Sequence, residues 1–542
     1  MKAVTVLIGE KKIAVEHSTL IKELVGEIVH PYPIMGALVN NVLVDLNYCI
    51  QEDCIVDFVD MGSPLGIKIY EKSLLLILIR ATQEVLPTQR LSVEHSLGGG
   101  IYCELEDKKL SKEELSRINK KIKEIIQKDL PINKINCTLE DAHQCVHCKR
   151  IPLLQYVPRE KMVLYELDGM YEYFHGHMLP STGYLDLFQL RLYYPGFILL
   201  YPSFLDPLHI PKFRDQKKLF QVFSSYEKWC NYFDIEDVAS LNEKVKDGTI
   251  FDLIRVAEAN HQQEINRIAE EIVQNRDRLK IILISGPSSA GKTTTSKRLK
   301  TNLMVHGIMP ITIELDNYFL DRELTPRDEN GEYDFENIDA IDIELFNDHL
   351  LKLMEYQEVE IPKFNFLVGK REKGTKIKIQ ENHPIIIEGI HGLNEKLTKY
   401  IPKDKKYKIY INALTHLNIN AYNRIPTTDI RLIRRMVRDY NYRGHNGDTT
   451  LKMWGSVRAG EEKYIFPFQE EADYIFNSAL FYELSALKKY AIPILKEVDP
   501  MSPYFPYANR IMEFLELFLS IEDESTILGN SILREFIGGS TC

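Results

Sequence analysis

One short motif in the second half of the chain constrains its fold more than any other feature. Residues 286–293 fit the pattern G-x-x-x-x-G-K-[ST], directly after the apolar run 281–284 and before a helix-compatible stretch at 294–305. A strand, a glycine loop and a helix in this order direct backbone N–H groups and a positive helix end at phosphate groups. The residues predicted to bind the nucleotide here are Gly286, Pro287, Ser288, Ser289, Ala290, Gly291, Lys292, Thr293 and Thr294.

Two side chains of this loop have the chemistry of a nucleotide triphosphate site. Lys292 can reach the β and γ phosphates, and the hydroxyl of Thr293 can bind Mg²⁺. A chance glycine-rich turn is the alternative, but four constrained positions in the right context argue against it. The motif predicts nucleotide binding without saying what is done with the nucleotide.

Two carboxylates follow later strands of the same half. Asp316 follows the apolar run 311–315 and Glu388 follows 385–387, and such β-branched runs alternating with helical segments are typical of a parallel sheet. Ligands bind at the carboxyl ends of parallel strands. We therefore expect Asp316 to accept a proton from an attacking hydroxyl and Glu388 to serve Mg²⁺, the alternative being ordinary turn residues.

A group of arginines forms the third element. Arg431, Arg434, Arg435 and Arg438 recur at i, i+3, i+4 and i+7, so one helix face carries all four, and Arg443 follows one loop later. Phosphoryl transfer needs mobile guanidinium groups against the transferred charge. We interpret the group as a lid that closes over ATP, against the alternative of a solvated helix face.

Length and charge bound the remaining possibilities. At 542 residues the chain should hold about three or four domains. Lys plus Arg total 67 against 78 for Asp plus Glu, a net charge of −11, so no overall basic field recruits nucleic acid or membrane. The eight cysteines are scattered, and no apolar run approaches the ~20 residues of a membrane span. We expect a cytoplasmic protein without a membrane anchor.

The second half resembles the uridine kinase and phosphoribulokinase family of P-loop kinases over residues 280–498. The resemblance rests on the loop at 286–293 and on the segments 315–319, 334–342, 361–364, 387–389 and 431–439. It implies ATP and Mg²⁺ as cofactors, Lys292, Asp316 and Arg438 as catalytic residues, and Asp316 as the base for a nucleoside 5′-hydroxyl. It further implies a metal site at Thr293 and Glu388, phosphate contacts from Arg438 and Arg443, and substrate contacts from Tyr318, Glu336, Phe364 and Arg435.

Three positions depart from the uridine kinase pattern. Phe364 and Gly369 stand where the family carries a Tyr and a His that read the pyrimidine, and His445 stands where a second lid arginine is expected. A site selects mainly through polar groups that a wrong substrate leaves unpaired. Uridine or cytidine is the default acceptor, and another nucleoside or a ribose-like alcohol stays open.

The first half resembles parts of threonyl-tRNA synthetases. Residues 1–62 look like a TGS domain of the β-grasp type, and 63–225 resembles the editing domain that follows it. The positions that match the editing histidines and cysteine hold Lys72, Leu76, Phe174 and Met178, which lack that chemistry, so we predict no tRNA editing. A tRNA or amino-acid ligand stays open against a structural or regulatory role. A nucleotide-gated RNA-binding regulator is the competing function.

The resulting fold class is multidomain α/β. It comprises a β-grasp domain (1–62), an α+β editing-like domain (63–225), a helical connector (226–279), a P-loop kinase domain with a parallel sheet and flanking helices (280–500) and a helical extension (501–542). The oligomeric state stays open, a homo-oligomer included. Cys145 and Cys148, flanked by histidines, suit Zn²⁺, but a cysteine-containing turn is the preferred interpretation. The segment 531–540 suggests no role.

Overall fold

The structure is a computed structural model of the chain. It describes residues 3–106, 108–145, 152–156, 161–327, 331, 333–366, 368–381 and 383–542. The His143–Cys148 cluster lies outside the residues whose side chains are described, so its two interpretations stay open. Six other cysteines are free thiols. No helix among the described residues has the length and apolar character needed to cross a bilayer.

The first sixty residues form a five-stranded mixed sheet. Its order is β2-β1-β5-β3-β4, with β1 and β5 parallel and the other neighbours antiparallel. The helical stretch expected near residues 19–28 is a 3-10 helix, Ile21–Glu27, which buries Ile21 and Leu24 against the sheet. The strands are β1 (Ala3–Ile8), β2 (Lys11–Glu16), β3 (Ile34–Val39), β4 (Val42–Val44) and β5 (Cys54–Asp60).

The second unit packs two long helices and a short one against two small antiparallel sheets, ordered β10-β9-β8 and β11-β12-β7-β6. Ser63 caps its first helix and Ser111 its second, each accepting a hydrogen bond from a first-turn amide. The tight turn expected at residues 96–100 joins β6 to β7. The elements are α1 (Pro64–Val85), β6 (Leu91–Leu97), β7 (Gly100–Leu105), α2 (Lys112–Gln127), β8 (Asn133–Thr138), α3 (Leu139–Cys145), β9 (Lys161–Leu167), β10 (Met170–Glu172), β11 (Gln189–Tyr193) and β12 (Gly196–Leu200).

Three helices connect the two halves. They are α4 (Lys217–Asn231), α5 (Val238–Asp247) and α6 (Ile250–Gln274). The amphipathic pattern that predicts α6 is confirmed, since its periodic apolar residues from Ile250 to Ile272 are buried in the main core. This helix packs on the helix that follows the phosphate-binding motif. The connector is therefore part of the core of the second half.

The second half is built on a five-stranded parallel sheet, which confirms the predicted parallel arrangement. Its order is β14-β17-β13-β18-β21, so the strand before the phosphate-binding loop is central, with Ile281 opposite both Ile385 and Lys406. All five residues of this strand are buried, as expected for a sheet covered on both faces. The strands are β13 (Ile281–Ser285), β14 (Ile311–Glu314), β17 (Ile385–Glu388), β18 (Lys406–Asn412) and β21 (Tyr474–Asn477).

Helices and two hairpins surround this sheet. The hairpin β15-β16 packs against the turn at residues 315–318, and a short pair, β19-β20, contacts the second unit. The elements are α7 (Lys292–Val305), α8 (Ile343–Met354), β15 (Val359–Asn365), β16 (Lys370–Ile377), β19 (Asn418–Asn420), β20 (Asn423–Arg424), α9 (Thr427–Arg443), α10 (Gly447–Tyr464), α11 (Glu483–Lys496), α12 (Phe505–Glu516) and α13 (Arg534–Ile537).

Candidate active site

The glycine loop joins β13 to α7, as the motif predicts. Gly286 runs so close to β18 that a Cβ would lie 2.0 Å from the carbonyl oxygen of Ile411. Gly291 has φ +87°, and a Cβ there would lie 2.6 Å from Cγ2 of Ile532. Both positions therefore require glycine. Lys292 begins α7, and its Nζ donates to the carbonyl oxygen of Pro287 at 3.1 Å, which holds the ammonium group over the loop.

Thr293 and Glu388 are joined across the sheet edge. The Thr293 hydroxyl donates to Oε1 of Glu388 at 2.9 Å. Burial raises the pKa of Glu388 to about 7, although Lys292 and the Thr293 hydrogen bond act in the opposite direction. Lys292 and Thr293 offset only part of the cost of burying the Glu388 carboxylate. A carboxylate in this state beside a hydroxyl is suited to bind a hard divalent cation. The two residues predicted to hold Mg²⁺ are therefore brought together.

Asp316 lies in the segment that follows β14, the strand next to the one that carries Glu388. It belongs to a 3-10 turn, Leu315–Tyr318, that begins where β14 ends, and Glu314 of that strand lies opposite Glu388 in the parallel register. The Asp316 side chain is exposed, and desolvation by the surrounding protein raises its pKa while Lys292 lowers it. Asp316, Glu388 and the loop thus share one edge of the sheet, as predicted for a base and a metal ligand.

One buried carboxylate, Asp439, organises the arginine group. It lies 3.2 Å from Arg435, 2.8 Å from Arg438 and 3.5 Å from Arg443, measured between carboxylate oxygens and guanidinium nitrogens. His445 Nδ1 lies 3.9 Å from the same carboxylate. Three guanidinium groups around one carboxylate leave an excess of positive charge. Burial, together with mutual repulsion, lowers the pKa of Arg435 and of Arg443. Such an excess attracts phosphate groups.

The prediction of a mobile lid is wrong for two arginines. Arg431 and Arg434 are fully buried. Arg431 forms an ion pair with Glu461, and Arg434 forms one with Glu483 while donating to the carbonyl oxygen of Ser478 at 2.8 Å. Their partners stand 30 and 49 residues further along the chain, so nearby acids gave no sign of them. These two side chains hold α9 in place.

Glu461 is a functional residue that the sequence did not reveal. Its carboxylate accepts the backbone N–H of Ser288 at 3.1 Å, while the Ser288 hydroxyl accepts from Arg435 at 2.7 Å. One loop residue is thereby held from both α10 and α9. No motif surrounds Glu461, and only its place one turn after Arg458 on an amphipathic helix could have suggested a buried pair. Arg435, predicted to contact substrate, is a residue of α9 whose side chain contacts the loop at Ser288 in this structure.

The residues predicted on the substrate side separate into two groups. Glu336 packs against Gly460 on α10. Burial and repulsion by Glu461 raise its pKa to about 7, with Arg435 and Lys292 opposing. Tyr318 does not reach the cleft. Its ring is fully buried against Phe346, and its hydroxyl pairs with Nδ1 of His349 at 3.0 Å. We correct its predicted substrate role to packing, because the turn that exposes Asp316 directs Tyr318 inward.

Phe364 is part of an aromatic cluster beside the turn that carries Asp316. Its ring centroid lies 5.7 Å from that of Phe319 and 5.1 Å from that of Phe366, and its N–H donates to Asn317 at 3.2 Å. Phe366 and Phe335 remain exposed by 59% and 38%, so the cluster presents an apolar surface to solvent. Gly369, the second departure, has φ +71° and packs against the Arg322 side chain.

The C-terminal segment lies against the loop, although the sequence suggested no role for it. Ile532 covers Gly291, the carbonyl oxygen of Phe536 accepts from Asn441 at 3.1 Å, and the Glu535 carboxylate lies beside Thr294. Phe536 also packs under the guanidinium of Arg434. More than 240 residues separate Glu535 from the loop, which is why no local pattern could link them.

The four positions compared with synthetase editing residues lie together in the first half. Leu76, Phe174 and Met178 are buried in one apolar core, and Nζ of Lys72 donates to the carbonyl oxygen of His175. The group holds no imidazole or thiol among these four side chains. The prediction that this unit does not edit tRNA stays a prediction.

The second half matches the model of the Phosphoribulokinase / Uridine kinase family over residues 281–481. Uridine kinase of Clostridium botulinum (strain 657 / Type Ba4) is 30% identical over 196 residues, which are 36% of this chain and 86% of that protein. Uridine kinase of Borrelia duttonii (strain Ly) is 33% identical over 220 residues, 39% of this chain and 95% of that protein.

A solved structure, described as a possible uridine kinase from Bacillus stearothermophilus, is 16% identical and aligns with 40% of this chain and 98% of its own. Its TM-score of 0.27 is too low to support a conclusion. The two sequence relatives are matched over nearly their whole length by the half of this chain that carries the loop, Asp316 and Glu388. The chain therefore belongs to the phosphoribulokinase / uridine kinase family and is an ATP-dependent kinase.

Proposed function

We propose that the enzyme phosphorylates the 5′-hydroxyl of a nucleoside, with uridine or cytidine as the default acceptor. The observation that carries this proposal is the meeting of Lys292, Asp316 and Glu388 at one edge of the parallel sheet. This arrangement supplies a phosphate-binding cation, a base and a metal ligand within one cleft. The names of the relatives, both uridine kinases, support the choice of acceptor class.

In the proposed reaction the acceptor oxygen attacks the γ-phosphorus of ATP. The new P–O bond forms as the bond to the β,γ-bridging oxygen breaks, ADP leaves, and Asp316 takes the hydroxyl proton. A raised pKa suits Asp316 to this step, because a base works best when its pKa approaches the working pH. Lys292 neutralises the β and γ phosphates, and Arg438 and Arg443 offset charge on the transferred group.

Thr293 and Glu388 are the residues that would hold Mg²⁺. Their 2.9 Å contact and the raised pKa of Glu388 fit a site in which a cation replaces the proton. When bound, Mg²⁺ neutralises negative charge on the β and γ phosphate oxygens.

The acceptor pocket is the part of the proposed site that departs from the uridine kinase pattern. Glu336 is suited to accept hydrogen bonds from ribose hydroxyls, and the exposed faces of Phe335 and Phe366 can stack on a base. Phe364 offers no polar group for reading a pyrimidine. A nucleoside with a different base, or a ribose-like alcohol with an apolar substituent, is therefore the second candidate acceptor.

The first half, a TGS-like unit (1–62) and an editing-like unit (63–225), is proposed to regulate or position the kinase domain (280–500). The connector (226–279) links the two halves, and the helical extension (501–542) follows the kinase domain. A tRNA or amino-acid ligand for this half, and nucleotide-gated RNA binding without phosphorylation, are its alternatives. Retention of tRNA on a filter, with a steep dependence on salt, would favour them.

The test is Mg·ATP turnover with a panel of nucleosides and ribose-like alcohols. Wild-type enzyme should release ADP only when an acceptor is present, and Asp316→Asn should lower kcat roughly 10²- to 10⁴-fold while ATP still binds. The matched control is Glu355→Gln, an exposed carboxylate at the end of α8. Its turnover should stay close to wild type.

Equal turnover by Asp316→Asn would overturn the base assignment. Bound ATP without acceptor-dependent ADP release across the whole panel would overturn the proposed acceptor class and favour the RNA-binding alternative.

A further inference from the structure

A cavity of about 530 Å³ lies between the two halves of the chain. Helix α1 of the first half forms one wall, and α9, α10 and α12 form the others. Among the described residues, Lys292, Asp316, Glu336 and Glu388 do not line it. The cavity is thus separate from the proposed active site, and its volume lies within the range of small-molecule sites.

The cavity carries more positive than negative charge. Its charged lining residues are Lys68, Lys72, Arg424, Lys452, Arg458, Arg510, Glu71 and Asp429. Six cationic side chains and two carboxylates therefore line the cavity, and one of the six, Arg458, is paired with Glu461 and Glu462 outside it. Asp429 is occupied by Arg510, at 2.7 and 2.9 Å, and by Lys68 at 3.3 Å. Glu71 is occupied by Arg424 at 3.3 Å. Both carboxylates are therefore already paired with cations of the cavity wall.

Lys72 and Lys452 are the cavity cations that have no carboxylate within ion-pair distance among the described residues. Lys452 is exposed, whereas Lys72 is half-buried and its Nζ donates to the carbonyl oxygen of His175. Burial, with repulsion by Lys68 and Arg510, lowers the pKa of Lys72 to about 7. The pKa of Lys68 falls to about 8 for similar reasons. An anion next to these side chains would relieve the repulsion.

The rest of the lining is aromatic and aliphatic. Tyr422, Trp454, Tyr504, Tyr507 and Phe514 contribute rings, and Leu75 and Leu451 contribute aliphatic surface. Flat rings next to a cationic group favour a ligand that joins an aromatic or apolar body to an anionic group.

We propose that this cavity binds a small anionic ligand with an aromatic or apolar body, and that the bound ligand regulates nucleotide binding. Lys72 anchors the anionic group, and the rings around Trp454 hold the body. A carboxylate and a phosphate monoester share this chemistry. The binding part of the proposal does not depend on which acceptor the kinase phosphorylates.

Two helices connect the cavity to the phosphate-binding loop. On α9, Asp429 and Leu432 face the cavity, and Arg431 and Arg435 reach Ser288 of the phosphate-binding loop. On α10, Arg458 lines the cavity and donates to Glu461 at 2.6 Å. Glu461 in turn accepts the N–H of Ser288. A ligand that pairs with Arg458, or that shifts α9 or α10, would therefore change the position of Ser288.

Tryptophan fluorescence offers a local measurement. The chain has two tryptophans, Trp229 and Trp454, and Trp229 lies in the connector core against Tyr226. In full-length Trp229→Phe protein, only Trp454 reports. Phenyl phosphate and 3-phenylpropanoate are the anionic probes, which distinguish the two sources, and 3-phenylpropan-1-ol is the neutral control. Binding is measured by calorimetry, and the site by fluorescence excited at 295 nm.

At least one anionic probe should bind and change Trp454 fluorescence, and the neutral alcohol should bind at least tenfold more weakly. Lys72→Met should weaken anion binding tenfold or more, while Lys72→Arg retains it. Lys120→Met, an exposed lysine on α2, is the matched control and should bind as wild type. Saturating probe should change the Kd of ATP at least threefold.

Equal binding of the alcohol, an unchanged Trp454 signal or no binding of either anion at millimolar concentration would overturn the site. These comparisons use the intact Lys72 side chain, so they hold even if Lys72→Met does not fold. Anion binding with an unchanged Kd for ATP would overturn the regulatory part of the proposal.

Discussion

The carboxylate of Glu535 accepts two hydrogen bonds from Thr294, one from its hydroxyl at 2.7 Å and one from its backbone amide at 3.3 Å. Both donors lie in the first turn of α7, where a phosphate-binding loop presents its N–H groups. Glu535 therefore occupies, with a negative charge, donors that a nucleotide phosphate would use. ATP has to displace this carboxylate or tolerate its repulsion.

Glu535→Gln should tighten ATP binding. The substitution keeps the size of the side chain and removes the negative charge, so repulsion of the phosphates falls. We expect the Kd of ATP to decrease roughly three- to tenfold, which corresponds to about 1 kcal/mol. Calorimetric titration with a non-hydrolysable ATP analogue measures it. Glu522→Gln, an exposed carboxylate in the same C-terminal part, serves as the control and should leave the Kd unchanged. A weaker Kd in Glu535→Gln would mean that the carboxylate supports the nucleotide site.

Mg²⁺ binding should depend on pH through Glu388. Its pKa of about 7 means that the folded protein holds a proton on this carboxyl below neutral pH, and the metal competes with that proton. The apparent Mg²⁺ affinity should therefore rise between pH 6 and pH 8. Glu388→Gln should weaken Mg²⁺ roughly 10- to 100-fold and flatten the pH dependence, whereas Glu381→Gln should change neither. Titration of Mg²⁺ at several pH values decides it.

The same shift in pKa has a consequence for stability with the opposite sign. In the unfolded chain Glu388 ionises near pH 4.5, whereas in the folded protein it keeps its proton to about pH 7. The folded state binds the extra proton, so its contribution to stability is full below pH 4.5 and is lost as the pH rises to about 7. Urea unfolding of wild type and Glu388→Gln should converge at low pH and diverge in favour of the variant near pH 8.

Arg434→Met should lower the free energy of unfolding, because the role of this side chain is structural and not catalytic. The substitution leaves Glu483 buried without its partner, which costs about 3–5 kcal/mol. The double variant Arg434→Met/Glu483→Leu should recover most of this loss, because no buried charge remains. Denaturant unfolding measures both. A single variant as stable as wild type would contradict the structural role assigned to this arginine.

Arg443→Met should show the reverse pattern. Its side chain is 51% exposed and lies 3.5 Å from Asp439, so little packing is lost and stability should change by about 0.5 kcal/mol or less. Turnover should fall roughly tenfold or more, because one cation over the phosphates is removed. Parallel kcat and unfolding measurements on Arg443→Met and Arg434→Met separate the two roles. Loss of stability with unchanged kcat in Arg443→Met would count against its phosphate contact.

The parallel sheet and its charged edge could be predicted because their signals are local. Strand, glycine loop and helix follow one another at 281–305, and Asp316 and Glu388 each stand directly after an apolar run. A strand end and the residue after it are fixed by the chain itself. The tertiary partners of a side chain are not fixed in this way, so the spacing of Arg431 and Arg434 could not indicate their ion pairs with Glu461 and Glu483.

Residues that act through tertiary contacts had no such signal. Glu461 and Glu535 reach the loop from α10 and from the C-terminus, and neither belongs to a recognisable pattern. Tyr318 shows the converse error. It stands in a motif two residues after Asp316, but the tight turn between them sends one side chain to the cleft and the other into the core.

Asp429 joins three stretches of chain that are far apart in sequence. Lys68 comes from the first half, Arg510 from the C-terminal extension, and the carboxylate itself from the kinase domain. A fragment cut at residues 280 and 500 would keep the carboxylate and lose both cations. The domain boundaries that the sequence suggests are therefore poor places to divide the protein. In an excised kinase fragment, the Asp429 carboxylate would lie without these two cations in the first turn of α9, the helix that carries the arginine group.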